Sequence, residues 1–255
     1  MRRTIVGLPV LLVLAAACGG DEGAMNPMQG APGATSPVEE AAVPVLETEP
    51  RPATVAPLPR STPEAEGVSS QLILDFVSQL NEQVHEPHSM MLLRHGKVIA
   101  EGWWSPYTPG DMHNMYSVTK SFNSTAVGLA VSEGLLGVDD LVTSFFPEYA
   151  APAAAFQTMT VRHLLTMSTG HAADTIDRMR TEPNGEWVRA FFGLGVESAP
   201  GSLFVYNSGA AYVLGAIVQK VTGATVEAYL TPRLFDPLGI NNRLWGMSSE
   251  GISLT

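Results

Sequence analysis

Met115-Tyr116-Ser117-Val118-Thr119-Lys120 is the stretch on which the reading of this chain turns. It opens a predicted helix, Ser117 to Glu133, closed by Gly134, with Val118, Phe122, Ala126 and Leu129 on an apolar face of their own. Residues three apart on a helix point the same way, so the Ser117 hydroxyl and the Lys120 amine are expected to meet. A serine hydroxyl is a weak nucleophile until a base takes its proton. A lysine is that base only when uncharged, which at pH 7 takes roughly 4.6 kcal/mol from its surroundings, given an ordinary pKa near 10.4. Burial and the positive end of a helix both act in that direction, and the same helix end favours the serine alkoxide. A capping serine with a surface lysine one turn further on gives the same pattern, so the pair alone does not decide the chemistry.

Outward from this helix, Ser69 or Ser70 caps a predicted helix whose apolar residues Leu72, Ile73, Phe76, Val77 and Leu80 share one buried face. Ser89 to Leu93 and Val98 to Trp104 flank His95-Gly96 and read as a β-hairpin. Helices are predicted over Asp139 to Phe146, Thr160 to Met167, Glu186 to Phe192, Asn207 to Thr222 and Thr225 to Leu234. One helix, one hairpin and a run of helices suggest an α/β sandwich with a helical insertion. A two-stranded hairpin is marginal alone, and no strand pair is predicted after Trp245, so further strands are expected to be missing from this chain.

Five segments carry a resemblance: Arg60 to Val68, Met115 to Lys120, Gly134 to Phe146, Thr160 to Gly170 and Pro200 to Gly223. In this order they resemble the serine β-lactamase and penicillin-binding protein superfamily, and most its class C-like branch with esterases, D-aminopeptidases and aminohexanoate-dimer hydrolases. The likeness spans about residues 60 to 247. It implies a β-lactamase/transpeptidase-like sandwich, here with the N-terminal helix, the hairpin and the helical domain but without the C-terminal strands. It implies Ser117 as nucleophile, Lys120 as its base, and Tyr206 as the partner that shares the proton and passes it to the leaving group. The family's second motif is Tyr-x-Asn or Tyr-x-Ser, and here it reads Tyr206-Asn207-Ser208. Ser208 and Asn207 would then bond the lysine or the substrate, with their two roles left loose by the order of the pair. From spacing alone, Asn207 is equally an N-cap behind a core tyrosine. The family's third motif, a Lys-Thr-Gly or His-x-Gly strand that lends an oxyanion donor, is absent. Losing such a donor costs about 3 to 4 kcal/mol of transition-state stabilisation. The chain therefore resembles the N-terminal and helical parts of a longer hydrolase and is expected to turn over substrate poorly alone. The expected reaction passes through an acyl-enzyme on an ester, amide or peptide bond of a small molecule or peptide, with no cofactor.

The first eighteen residues read as an address. Arg2 and Arg3 precede an apolar run, Ile5 to Leu14, too short to cross a bilayer and stop, and then Ala15, Ala16, Ala17 and Cys18. Cys18 sits where a bacterial lipoprotein signal places its acylated residue, although Ala15 stands where leucine is usual. It is the only cysteine, so it has no internal disulfide partner. Residues 19–60 hold eight of the chain's 19 prolines and little apolar periodicity, which reads as a disordered Pro/Ala-rich tether. The hydrolase-like domain is then 61–255. Together these parts predict an exported protein of the bacterial cell envelope, held at a membrane by a lipid anchor. With 14 Lys and Arg against 25 Asp and Glu the net charge is −11, which argues against nucleic acid as a partner. The sequence assigns no oligomeric state.

Other candidates read as structural. His85-Glu86-Pro87-His88 lacks a second histidine at helical spacing, so no metal site is predicted. His163, beside Leu164 and Leu165, reads as a hydrogen-bonded core histidine, and Asp139-Asp140 as a helix N-cap. Trp103 and Trp104 suit core packing or a cleft wall. Asn123-Ser124-Thr125 matches a glycosylation sequon but lies inside a predicted helix. A rival to the enzyme is a non-catalytic envelope lipoprotein that keeps the fold to bind a ligand.

Overall fold

The computed structural model describes residues 56–84, 86–149 and 154–255. The predicted signal 1–18 with its Cys18, and residues 19–55 of the predicted tether, lie outside them. No helix among the described residues is long and apolar enough to cross a membrane. These residues form two compact units, Leu58–Pro109 and Gly110–Thr255.

In the first unit, α1 (Ser70–Gln83) begins where its cap was expected: Ser69 is the N-cap and its side chain accepts from the Gln71 N–H. Its buried face is narrower than predicted. Ile73, Val77 and Leu80 are half-buried, but Leu72 and Phe76 are exposed, because they lie one position round from that stripe. Strands β1 (Ser89–Arg94) and β2 (Lys97–Trp103) pair antiparallel across His95 and Gly96. Both turn residues have positive φ, 51° and 74°, as a two-residue hairpin turn requires. Val98 also bonds back to Pro59 and Ser61, which adds a parallel bridge at Arg60. The buried Glu66 carboxylate accepts from Lys97 and His95 at 2.7 and 2.9 Å. Lys97 first and His95 second hold its pKa down to about 2. Trp104 donates its indole N–H to Asn81 of α1.

The second unit is built round α7 (Ser208–Thr222), in which every residue from Gly209 to Val218 is buried. A helix apolar on all sides has to be wrapped on all sides. Around it pack α2 (Thr119–Ser132), α4 (Val161–Leu165), α5 (Ile176–Arg180), α6 (Trp187–Gly193) and α8 (Val226–Leu230). Phe146, Phe156, Phe191 and Phe192 fill the space beside α6 with tilted and edge-on ring contacts.

Several sequence expectations need correction here. Ser117 is not the first residue of the α-helix; Tyr116–Val118 forms a 3-10 turn and α2 starts at Thr119. The fully buried residues of α2 are Asn123, Ala126, Val127 and Ala130; Phe122 and Leu129 pack half-buried against the same core, and Val118 is exposed. The helix predicted from Asp139 shrinks to α3 (Val142–Phe145). Asp140 instead accepts the Gly137 N–H at 2.7 Å, and Asp139 pairs with Arg162 at 2.8 Å. After α8 the chain widens into a π-type turn, Thr231–Phe235, where Pro232 has no N–H for an α-helical bond, and then enters α9 (Asp236–Leu238). Near the end, an antiparallel bridge joins Met247 to Ser253, and the Trp245 indole donates to the Leu254 carbonyl.

His171 was not singled out from the sequence. It is fully buried against Phe156 and Phe191, with Nδ1 2.8 Å from Thr169 Oγ1. Burial, and then Arg178, lower its pKa to about 4. The folded protein thus keeps His171 neutral while an unfolded chain protonates it below about 6.5. Stability should fall as pH drops from 6.5 toward 4, with His171 contributing up to about 3 kcal/mol of that loss. Urea melts of wild type and His171→Phe at pH 7 and pH 4.5 test this. The substitution should flatten the pH dependence, and equal slopes would contradict it.

Candidate active site

The 3-10 turn at the front of α2 carries Ser117, and the residue before it is strained. Tyr116 has φ of 43°, a left-handed conformation that a bulky side chain adopts at a cost on the order of 1 kcal/mol or more. The Val118 N–H closes the turn on the Met115 carbonyl at 2.9 Å. This turn leaves the Ser117 hydroxyl exposed and keeps it on the face of Lys120, whose Nζ lies 3.3 Å from Ser117 Oγ.

Tyr206 arrives from far along the chain. Its phenol donates to Ser117 Oγ at 2.5 Å, and its ring lies 5.4 Å from Lys120 Nζ. Backbone bonds hold the run that delivers it. Glu197 and Ser198 donate to the Gly170 carbonyl at 3.1 and 2.9 Å, Gly201 donates to Ser168 at 2.7 Å, and Val205 donates to Met167 at 2.9 Å. The three side chains predicted to carry the chemistry therefore meet at one hydroxyl.

Asn207 turns away from that hydroxyl. Asn207 is fully buried and turned inward, because its carboxamide caps α7. Its Oδ1 accepts from Ala210 N at 3.0 Å and from Thr175 Oγ1 at 2.7 Å, while Nδ2 reaches Thr169 Oγ1 at 3.4 Å. Ser208 donates its backbone N–H to Asp174 at 2.9 Å. Burial opposes the charge on Asp174, yet bonds from the N–H groups of Ile176, Ser208 and Gly209 keep its pKa below the ordinary value. Asp174 and Thr175 thus join the start of α5 to the start of α7, directly behind Tyr206. Asp-Thr before Ile176 is a capping pattern, and it was the available signal for α5, which the sequence reading left out.

The remaining candidates are structural. His163 is half-buried, and its Nδ1 accepts the Thr160 N–H at 3.1 Å to form a capping box on α4. His85 lies outside the described residues, and His88 stacks on the Tyr107 ring at 3.8 Å. Among the described residues, no group of three or more His, Cys, Asp or Glu is placed to hold a metal ion. Asn123, the sequon residue, is buried against α7.

A family model described as Beta-lactamase matches residues 75–251, a span that contains Ser117, Lys120 and Tyr206. The chain belongs to the beta-lactamase family. Among curated members similar to it, Penicillin-binding protein 4 of Amycolatopsis lactamdurans is 31% identical over 150 residues, covering 58% of this chain and 39% of that one. Esterase EstB of Burkholderia gladioli is 28% identical over 204 residues, covering 70% and 52%. Among solved structures, the octameric penicillin-binding protein homologue from Pyrococcus abyssi aligns with a TM-score of 0.52 at 25% identity, covering 72% of this chain and 49% of that one. The fold of this beta-lactamase family chain is the β-lactamase/transpeptidase-like α/β fold. The chain spans about half or less of the length of the curated relatives it matches.

Proposed function

We propose that this beta-lactamase family chain is a serine hydrolase working through an acyl-enzyme on an ester, amide or peptide bond. The observation that carries the reading is the single hydroxyl, Ser117 Oγ, within 2.5 Å of the Tyr206 phenol and 3.3 Å of the Lys120 amine. Lys120 and Tyr206 together take the hydroxyl proton as Oγ bonds to the carbonyl carbon. They return it to the departing alcohol or amine as that bond breaks. Water then adds to the ester of Ser117 through the same groups in reverse, freeing the acid. The residues of this chain carry out each proton transfer. The same proposal takes residues 1–18 as a lipoprotein-type signal acylated at Cys18, and 19–60 as a tether holding the hydrolase domain in the cell envelope. The relatives' names, an esterase and a penicillin-binding protein among them, support acyl chemistry without choosing the bond.

A fluorophosphonate probe, followed by mass spectrometry of the digested protein, tests this. A covalent adduct on the peptide containing Ser117 is expected. Reversible binding of a ligand with no adduct, or an adduct elsewhere, would overturn the hydrolase and favour the ligand-binding lipoprotein.

A further inference from the structure

We propose that Asn123 is a positioning residue that sets the distance between Ser117 and Tyr206, an inference that rests on the acyl-transfer reading above. Ser117 and Lys120 come from the front of α2, whereas Tyr206 comes from the residue before the cap of α7. Their contacts at 2.5 and 3.3 Å therefore require these two helices to keep one register along their shared face. The buried stripe of α2 is otherwise Ala126, Val127 and Ala130, and the α7 surface next to Asn123 includes Ala211 and Gly215. Short apolar side chains attract without direction, and such contacts change little over a small slide. A hydrogen bond between the helices does not share that tolerance.

Asn123 makes that bond. Its Nδ2 donates to the Ala211 carbonyl at 2.6 Å, and only the amide nitrogen can donate to a carbonyl, so the orientation of the group follows. Asn123 lies one turn past Lys120, and Ala211 one turn past Asn207, so the bond sits one turn behind the site on both helices. Gly215 lies beside this bond: a Cβ there would stand 3.5 Å from Asn123 Oδ1, an ordinary van der Waals contact.

A second observation separates positioning from plain stabilisation. Asn123 is 1% exposed, and among the described residues its Oδ1 has no hydrogen-bond partner. A buried acceptor left alone lowers stability, whereas an apolar side chain of similar shape avoids that cost. Leucine at 123 should therefore fold at least as well as asparagine. What leucine cannot do is hold the Ala211 carbonyl at a fixed distance.

The experiment uses the full chain as wild type, Asn123→Leu and Asn123→Ala, with fluorophosphonate labelling at several probe concentrations and thermal melts of the same samples. For both variants the limiting labelling rate per folded molecule is expected to fall at least tenfold, with the half-saturating probe concentration within twofold of wild type. Asn123→Leu is expected to keep the wild-type Tm or exceed it. A purely structural role would lower Tm and the folded fraction but leave the rate per folded molecule unchanged. Wild-type labelling rates in either variant would overturn the positioning role and leave the hydrolase reading intact. Should Asn123→Leu fail to fold, Asn123→Ala, which adds no bulk, decides by the same rate. Absence of a Ser117 adduct in wild type itself would instead remove the acyl-transfer reading and this inference with it.

Discussion

Replacing Lys120 with methionine is expected to slow acylation of Ser117 about a thousandfold, with little change in folding. Methionine keeps the unbranched stem and removes the amine, so packing along α2 survives while the group 3.3 Å from Ser117 Oγ is lost. General acid–base groups typically contribute about 10²- to 10⁴-fold, and a thousandfold loss corresponds to about 4 kcal/mol of barrier. Tyr206 remains bonded to the hydroxyl in this variant, which should leave slow residual labelling. Rates of fluorophosphonate labelling for wild type and Lys120→Met, with Ser117→Ala as the unlabelled control, supply the comparison. A variant within tenfold of wild type would mean that Lys120 is not the base.

The largest expected loss of stability comes from Gly170→Ala, at about 3 to 5 kcal/mol. Gly170 has φ of 89°, and a Cβ there would lie 2.1 Å from the Ser198 carbonyl oxygen and 2.9 Å from Val196 Cγ1. A backbone oxygen cannot turn aside as a flexible side chain does, so the segment from Val196 to Ser198 has to move. That movement strains the two bonds the Gly170 carbonyl accepts, and with them the anchorage of the run ending at Tyr206. Overpacking commonly costs about 1 to 3 kcal/mol, and the left-handed backbone adds about 1 to 3 more. Gly128→Ala is the control. It is an exposed position within α2 with nothing within 4 Å of the added carbon, and alanine there should stabilise by up to about 1 kcal/mol. Denaturant melts measure both, and a Gly170→Ala protein as stable as wild type would refute the argument.

The legible parts of the fold were those in which local chemistry and burial agree. The helix predicted over Asn207 to Thr222 is observed with Asn207 as its cap and Gly223 as its left-handed end, because an N-cap and such a glycine act within one turn. The His95-Gly96 turn followed from the same kind of local rule. Helix α5 was missed because Ile176 to Arg180 holds only two apolar residues, Ile176 and Met179, too few for a period to show. The core face of α2 was read in part: Phe122, Ala126 and Leu129 do pack on the core, but Asn123 also belongs to it, and hydropathy assigns polar residues to the surface. Asn207 was open to two readings, and its burial decides for the cap.

By itself the sequence pointed to Ser117 and Lys120 sharing a face, since residues three apart meet across a 3-10 turn running into a helix as they do on the helix itself. It also determined the family, through motifs in a fixed order. Only the tertiary structure decided that Tyr206, 89 residues further on, reaches the same hydroxyl, and that Asn207 turns away from it toward Thr175. The reason is physical. Helical period, caps and tight turns depend on neighbours within a few residues, whereas the meeting of Ser117 with Tyr206 depends on how α2 packs on α7. That packing is set by shapes and buried polar bonds contributed from the whole of the Gly110–Thr255 unit.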